Sequence, residues 1–112
     1  MKTLTFQEFE KVDMRVGTIL SVTNFEKARK PAWILSIDFG KEIGVLKSSA
    51  QLKELYQEDN LVGKQIIAIV NFPDKQIATI KSQCLVLAVV GDDQGTVLLQ
   101  LERKVENGLK IM

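Results

Sequence analysis

The clearest pattern in the chain is the alternation in "AWILSIDFG", where Trp33, Leu35, Ile37 and Phe39 occupy every second position and Gly40 closes the run. A period of two puts all four side chains on one face of a strand. The stretch "MRVGTILSV", residues 14 to 22, is rich in β-branched and large apolar residues and predicts the preceding strand. Gly17 inside it predicts a bulge or sharp coil, as a strand needs when it bends round a small barrel. Further upstream, Phe6, Phe9 and Val12 lie three apart, and Thr5 followed by Glu8 has capping-box spacing. Together they predict a helix over residues 5 to 12.

Downstream, "IGVLKSSA" predicts a third strand, joined to the second across a short turn at "GKEI". In "QLKELYQEDN", Leu52, Leu55 and Tyr56 recur at the three- and four-residue spacing of a helix. Two strongly apolar strands follow, "KQIIAIVNF" and "SQCLVLAVVG", separated by a proline turn in which Pro73 suits the second position and Asp74 the third. "TVLLQL" pairs back through "DDQG" as a further hairpin. Helix, three strands, helix, then two or three strands, all with short connections, suit an all-β fold with short helices. The expected form is a five-stranded Greek-key barrel of the OB type, one domain spanning residues 1 to 112. A β-sandwich is the main competitor.

Composition narrows function more than fold. Hydrophobic residues make up 46% and charged residues 26%, the proportions of ordinary soluble globular proteins. Fifteen basic residues face fourteen acidic ones, so no overall field gathers polyanions and any nucleic-acid site must be a local patch. There is no histidine, which removes the commonest general base near neutral pH and the commonest metal ligand. No catalytic residue, metal site or cofactor is therefore expected, and Asp92 and Asp93 in "GDDQG" are explained by turn chemistry. Cys84, the only cysteine, sits in "CLVLAVV" and reads as a buried structural thiol. "MKTLTFQEFE" lacks the apolar core of a signal peptide, and the longest apolar run is about a third of the ~20 residues that span a bilayer. A cytoplasmic location without membrane insertion is expected.

Candidate chemistry concentrates between the strands. "FEKARKPAW" crowds Lys27, Arg29 and Lys30 against Pro31 and the only tryptophan, Trp33. The conservative reading is a solvated loop, with Pro31 opening the next strand and Trp33 in the core. The functional reading follows from the habit of OB barrels of binding ligands at this first loop and the adjoining strand face. Arg29 and Lys30 suit acidic side chains, a terminal carboxylate or phosphates alike. In "KSSAQ", one of Ser48 and Ser49 is expected to cap the following helix. The other, with Lys47 and Gln51, would then be left to bond the backbone of an extended peptide. From "NFPDK" onward, Asn71, Lys75 and Gln76 should project from the barrel rim. At the C-terminal end, Arg103 and Lys104 read as a solvated patch, and Val105, Leu109, Ile111 and Met112 offer apolar side chains to a partner subunit.

"VDMRVGTI", "LVGKQIIAIVNF", "SQCLVLA" and "VLLQLERKVENG" resemble, in order and spacing, the tRNA-binding OB domain family. That family includes stand-alone tRNA-binding proteins and C-terminal appendages of methionyl-tRNA synthetases. Within it, "FEKARKPAWILSIDFG", "KSSAQ" and "VNFPDKQIA" are similar to the CsaA branch of export-related chaperones. The resemblance covers nearly the whole chain. It implies a non-enzymatic homodimer, joined through the C-terminal extension, that captures unfolded precursor polypeptides for protein export and meets the export machinery.

The alternative it implies is tRNA binding through the same rim, and the departures from the family pattern bear on that choice. Members that bind tRNA carry a lysine and an arginine where this chain has Gln76 and Ala78, then Ser-x-Gly-Met where it has Ser82-Gln83-Cys84-Leu85. Asn71 and Ser82 match the pattern. An arginine fork suits phosphate and stacks on a base, and alanine does neither. Phe25 likewise stands where the "HPxADK" loop of the tRNA binders has histidine. Polypeptide is the implied ligand, weak tRNA binding a residual activity, and a bare dimerisation module the third reading.

Overall fold

Alternation in the second strand is realised without exception: in the computed structural model, which describes residues 1–112, Trp33, Leu35, Ile37 and Phe39 are all buried. Their strand, β2 (Trp33–Asp38), pairs antiparallel with β1 (Met14–Asn24) on one side and with β3 (Val45–Ala50) on the other. The N-terminal half of β1 pairs with β4 (Gln65–Ile69), and β4 pairs with the short β7 (Leu85–Val86). The sheet order is therefore β3-β2-β1-β4-β7. Its two edges meet where Gln83 N–H donates to the Lys47 carbonyl at 2.8 Å and the Lys47 N–H donates to Gln83 Oε1 at 3.0 Å. This nearly closed five-stranded antiparallel barrel is the OB fold. Ile19, Leu35, Ile37, Phe39, Leu61 and Ile66 fill its interior and are almost wholly removed from water. Each such side chain contributes about 1.5–3 kcal/mol by its burial.

Several elements depart from expectation. A register shift between Ile19 and Ser21 leaves Leu20 as the bulged residue, so Gly17 is not the bulge. Gly17 instead lies against the core, where an added Cβ would come within 2.6 Å of Ile37 Cγ2 and 2.7 Å of Phe39 Cε1. It is required by close packing. The "GKEI" turn is one turn of helix, α2 (Gly40–Ile43). The helix expected across "QLKELYQEDN" is reduced to a single turn, Tyr56 N–H to Leu52 carbonyl at 3.0 Å, followed by α3 (Glu58–Leu61). Neither serine caps it, because Ser48 and Ser49 both lie within β3. The Gln57 N–H is met instead by Asn60 Oδ1 at 2.8 Å.

The stretch expected as a proline turn continues into a hairpin of its own, β5 (Lys75–Ile77) and β6 (Ile80–Ser82). "SQCLVLAVVG" is split between β7 and β8 (Ala88–Val89), and β8 pairs with β9 (Val97–Leu98) as the "DDQG" turn predicts. The N-terminal helix, α1 (Phe6–Glu10), carries the expected capping box, Glu8 N–H to Thr5 Oγ1 at 3.1 Å and Thr5 N–H to Glu8 Oε1 at 3.2 Å. None of its residues is buried.

The C-terminal segment is laid along the free edge at the start of β1. Val16 N–H donates to the Leu109 carbonyl at 3.0 Å, Gly108 N–H to the Val16 carbonyl at 2.8 Å and Ile111 N–H to the Met14 carbonyl at 2.9 Å. Side chains reinforce this attachment. Arg15, ion-paired with Asp13, also donates to the Gly108 carbonyl, and Gln65 exchanges two bonds with the backbone of Val105. No helix is long and apolar enough to cross a membrane.

Candidate ligand-binding groove

Two adjoining depressions open beside the end of β3, and they share Ser49 and Ile77 as a common wall. The first, about 630 Å³, is bounded by the loop joining β1 to β2, with Arg29 and Lys30, and by Gln51 just beyond β3. The second, about 330 Å³, is more apolar, lined by Phe72, Pro73, Ile77 and Leu85 with Lys75 and Ser82 among them. Both volumes fall within the range of roughly 300–1,000 Å³ usual for ligand sites. The β5–β6 hairpin supplies one bank of this groove and the loop of residues 25 to 32 the other. The loop is anchored by its own apolar residues, since Phe25 and Ala32 are buried and bonded to one another through Phe25 N–H and the Ala32 carbonyl at 3.1 Å.

Six residues singled out from sequence line the groove: Arg29, Lys30, Ser49, Gln51, Lys75 and Ser82. Lys27 is exposed in the same loop, and Lys47 is exposed on β3 while its backbone closes the barrel. Trp33 and Ser48 are turned inward instead. Trp33 packs in the core, donates Nε1–H to the Tyr56 carbonyl at 3.0 Å and has the Lys53 ammonium 4.5 Å from its ring centre. The Ser48 hydroxyl donates to the Ser49 carbonyl. Asn71 is committed to the corner between α1 and β4, accepting from the Asp13 N–H at 3.0 Å and donating to the Lys11 carbonyl at 2.6 Å. Gln76 donates across its own turn to the Ala78 carbonyl at 2.9 Å. Phe72, Ile77 and Leu85 were missed from sequence. The available signal was an aromatic placed inside a turn, "NFPDK", where nothing local explains it.

The groove is electropositive by omission. Only two ion pairs form in the chain, Arg15 with Asp13 and Arg103 with Glu102, so Lys27, Arg29, Lys30, Lys47 and Lys75 have no carboxylate partner. Below the apolar depression, burial pushes the Cys84 thiol up to about 12, opposed by a hydrogen bond with Ser48. The thiol therefore stays neutral and unreactive. No cluster of three His, Cys, Asp or Glu side chains that could hold a metal is formed. Such a groove can desolvate apolar side chains and attract anions, and it holds no nucleophile paired with a base.

The sequence profile of the family described as "Putative tRNA binding domain" matches residues 14–110. The chain belongs to that family. Methionine–tRNA ligases of Pyrococcus horikoshii and Methanococcoides burtonii are each 33% identical to it, over 111 and 105 residues, covering 99% and 94% of the chain. The chain spans only about 15% of the length of these curated relatives. Among solved structures, the chaperone CsaA of Bacillus anthracis is 43% identical with a TM-score of 0.92, covering 99% of this chain and 100% of that one. The CsaA chaperone of Picrophilus torridus is 45% identical with the same TM-score, covering 98% and 100%. A MetRS-related protein of Pyrococcus horikoshii, at 23% identity and a TM-score of 0.86, shares the fold.

Proposed function

We propose that this chain, a single OB domain, is a non-enzymatic chaperone of the CsaA type. It acts as a cytoplasmic homodimer that holds unfolded segments of precursor polypeptides for protein export, without metal or cofactor. The observation that carries this reading is the end-to-end match to two CsaA chaperones at 43% and 45% identity, against ligases of which the chain matches about 15%. The groove supports it independently. An apolar depression beside unpaired cations and hydroxyls suits a chain that exposes both side chains and backbone. A homodimer is supported by the C-terminal face, where Val16, Leu101, Val105, Leu109 and Ile111 line a further depression of about 320 Å³. Two grooves on one dimer gain avidity for a long client without new contacts.

The second reading is tRNA binding through the same rim. It is favoured by one observation: Phe72 is 52% exposed on the groove wall beside Lys75, where a base could stack. A competition separates the two. A labelled unfolded precursor segment bound to the protein is challenged with bulk tRNA at low and near-physiological salt, and anisotropy reports displacement. The expected result is displacement at low salt only, because incidental phosphate contacts are lost steeply as salt rises. Displacement by tRNA at physiological salt would overturn the polypeptide reading. In parallel, the double change Arg29→Ala with Lys30→Ala should flatten the salt dependence of RNA binding by about two phosphate contacts.

A further inference from the structure

The outer edge of β3 is only partly used. Gln83 satisfies both backbone groups of Lys47, and the Ser49 N–H is met by the Ser82 hydroxyl at 3.2 Å. Beyond that point the edge is open: the Ser49 carbonyl receives only the hydroxyl of its neighbour Ser48, and the Gln51 N–H has no partner. This open stretch borders the wall shared by the basic and the apolar depressions. Ser49 in β3 and Gln51 just past its end thus present an acceptor and a donor, which a polypeptide backbone complements with its own N–H and C=O. A ribose-phosphate backbone has no N–H and can meet the acceptor only through its 2′-hydroxyls, without the strand's alternating donor and acceptor.

We propose that the groove takes an extended polypeptide segment as an added strand against the end of β3. A large apolar side chain enters the depression walled by Phe72, Ile77 and Leu85, and a carboxylate two residues away meets Arg29 and Lys30. The spacing follows from strand geometry, since alternate side chains share a face about 7 Å apart and the two depressions share one wall. The carboxylate follows from charge, since Arg29 and Lys30 face the groove with no acidic partner in the chain. This inference rests on the polypeptide reading and goes beyond it by naming the mode and the side chains recognised.

The test uses the whole chain and a fluorescein-labelled, serine- and threonine-rich host peptide carrying Leu and Glu two residues apart. Changing the peptide's Leu to Ala or its Glu to Gln should each weaken binding about tenfold, the effect of roughly 1.4 kcal/mol. N-methylating successive peptide residues should weaken binding at the one residue whose N–H meets the Ser49 carbonyl and spare the residues on either side of it, because a strand turns every second N–H toward its neighbour. Phe72→Ala should erase the preference for Leu over Ala while leaving the preference for Glu. Arg29→Ala with Lys30→Ala should do the reverse. All three side chains are exposed, so these variants should fold. Equal binding of every peptide, or equal N-methyl effects at adjacent residues, would overturn the added strand while the chaperone reading stands. Absence of peptide binding alongside tight tRNA binding would overturn both.

Discussion

Gly63 and Gly108 share nearly the same φ, +90° and +91°, and differ in what surrounds them. A Cβ on Gly63 would meet nothing within 4 Å, whereas on Gly108 it would lie 2.5 Å from the Phe39 carbonyl oxygen. Gly63→Ala therefore carries only the cost of a left-handed L-residue, about 1–2 kcal/mol. Gly108→Ala adds a collision with backbone that cannot swing aside, so the C-terminal segment must lift from β1 or Phe39 must move. Urea unfolding should rank Gly108→Ala as clearly the more destabilised, and equal losses would show that the segment relaxes freely. A second prediction at this scale concerns Cys84. Its folded thiol holds a proton to about 12, against 9.0 for the reference thiol, because of burial. Its contribution to stability is then complete below pH 9.0 and is lost as pH rises through about 12. Between those values the wild type should lose stability more steeply than Cys84→Ala. Parallel pH profiles would refute the assignment, since every other group is common to both proteins.

Among the elements, those specified by their own sequence were legible and those specified by distant neighbours were not. The capping box of α1 and the alternation of β2 are local signals, and both were realised. Ser48 reads as a helix cap because its partners, Leu35 in β2 and Cys84, are remote in sequence, yet those partners hold it inside a strand. The β5–β6 hairpin was illegible for a different reason. Its two-residue turn is Ala78-Thr79, and Ala78 is the only non-glycine residue with a positive φ, +50°. Such a turn normally announces itself with Asn-Gly or Gly. Here the sequence signal is missing because the conformation is held against local preference. Ala78→Gly should accordingly stabilise the protein by about 1 kcal/mol, measured by urea unfolding. It should leave peptide affinity nearly unchanged, as Ala78 does not line the groove. The groove itself was half legible: its cations could be named from sequence, but its apolar wall could not, because Phe72, Ile77 and Leu85 converge only once the hairpin folds over β3.

Across the whole molecule, apolar surface is distributed unevenly. The barrel is filled, yet Leu4 and Phe6 around α1 are 67% and 62% exposed, and Leu109 and Met112 at the C-terminal end are 48% and 79% exposed. The C-terminal segment is already fixed to β1 by three backbone bonds and to Gln65 by side-chain bonds, so ordering it costs a partner little entropy. A preordered apolar face is what a self-complementary interface needs, and a standard one takes roughly 800 Å² per subunit. That is about a tenth of the chain's 7754 Å². Val105 and Ile111 are half-buried against the chain's own surface, so changing them would confuse folding with assembly. Leu109 and Met112 avoid that difficulty. Light scattering should report a dimer at micromolar wild-type protein, and Leu109→Asp with Met112→Asp should give a folded monomer with unchanged urea stability at matched low concentration. The monomer should still bind a short peptide with wild-type affinity per groove, and should lose about tenfold or more on a client long enough to reach both grooves. A wild-type monomer at micromolar concentration would refute the interface, and undiminished affinity of the monomer for long clients would show that the grooves act singly.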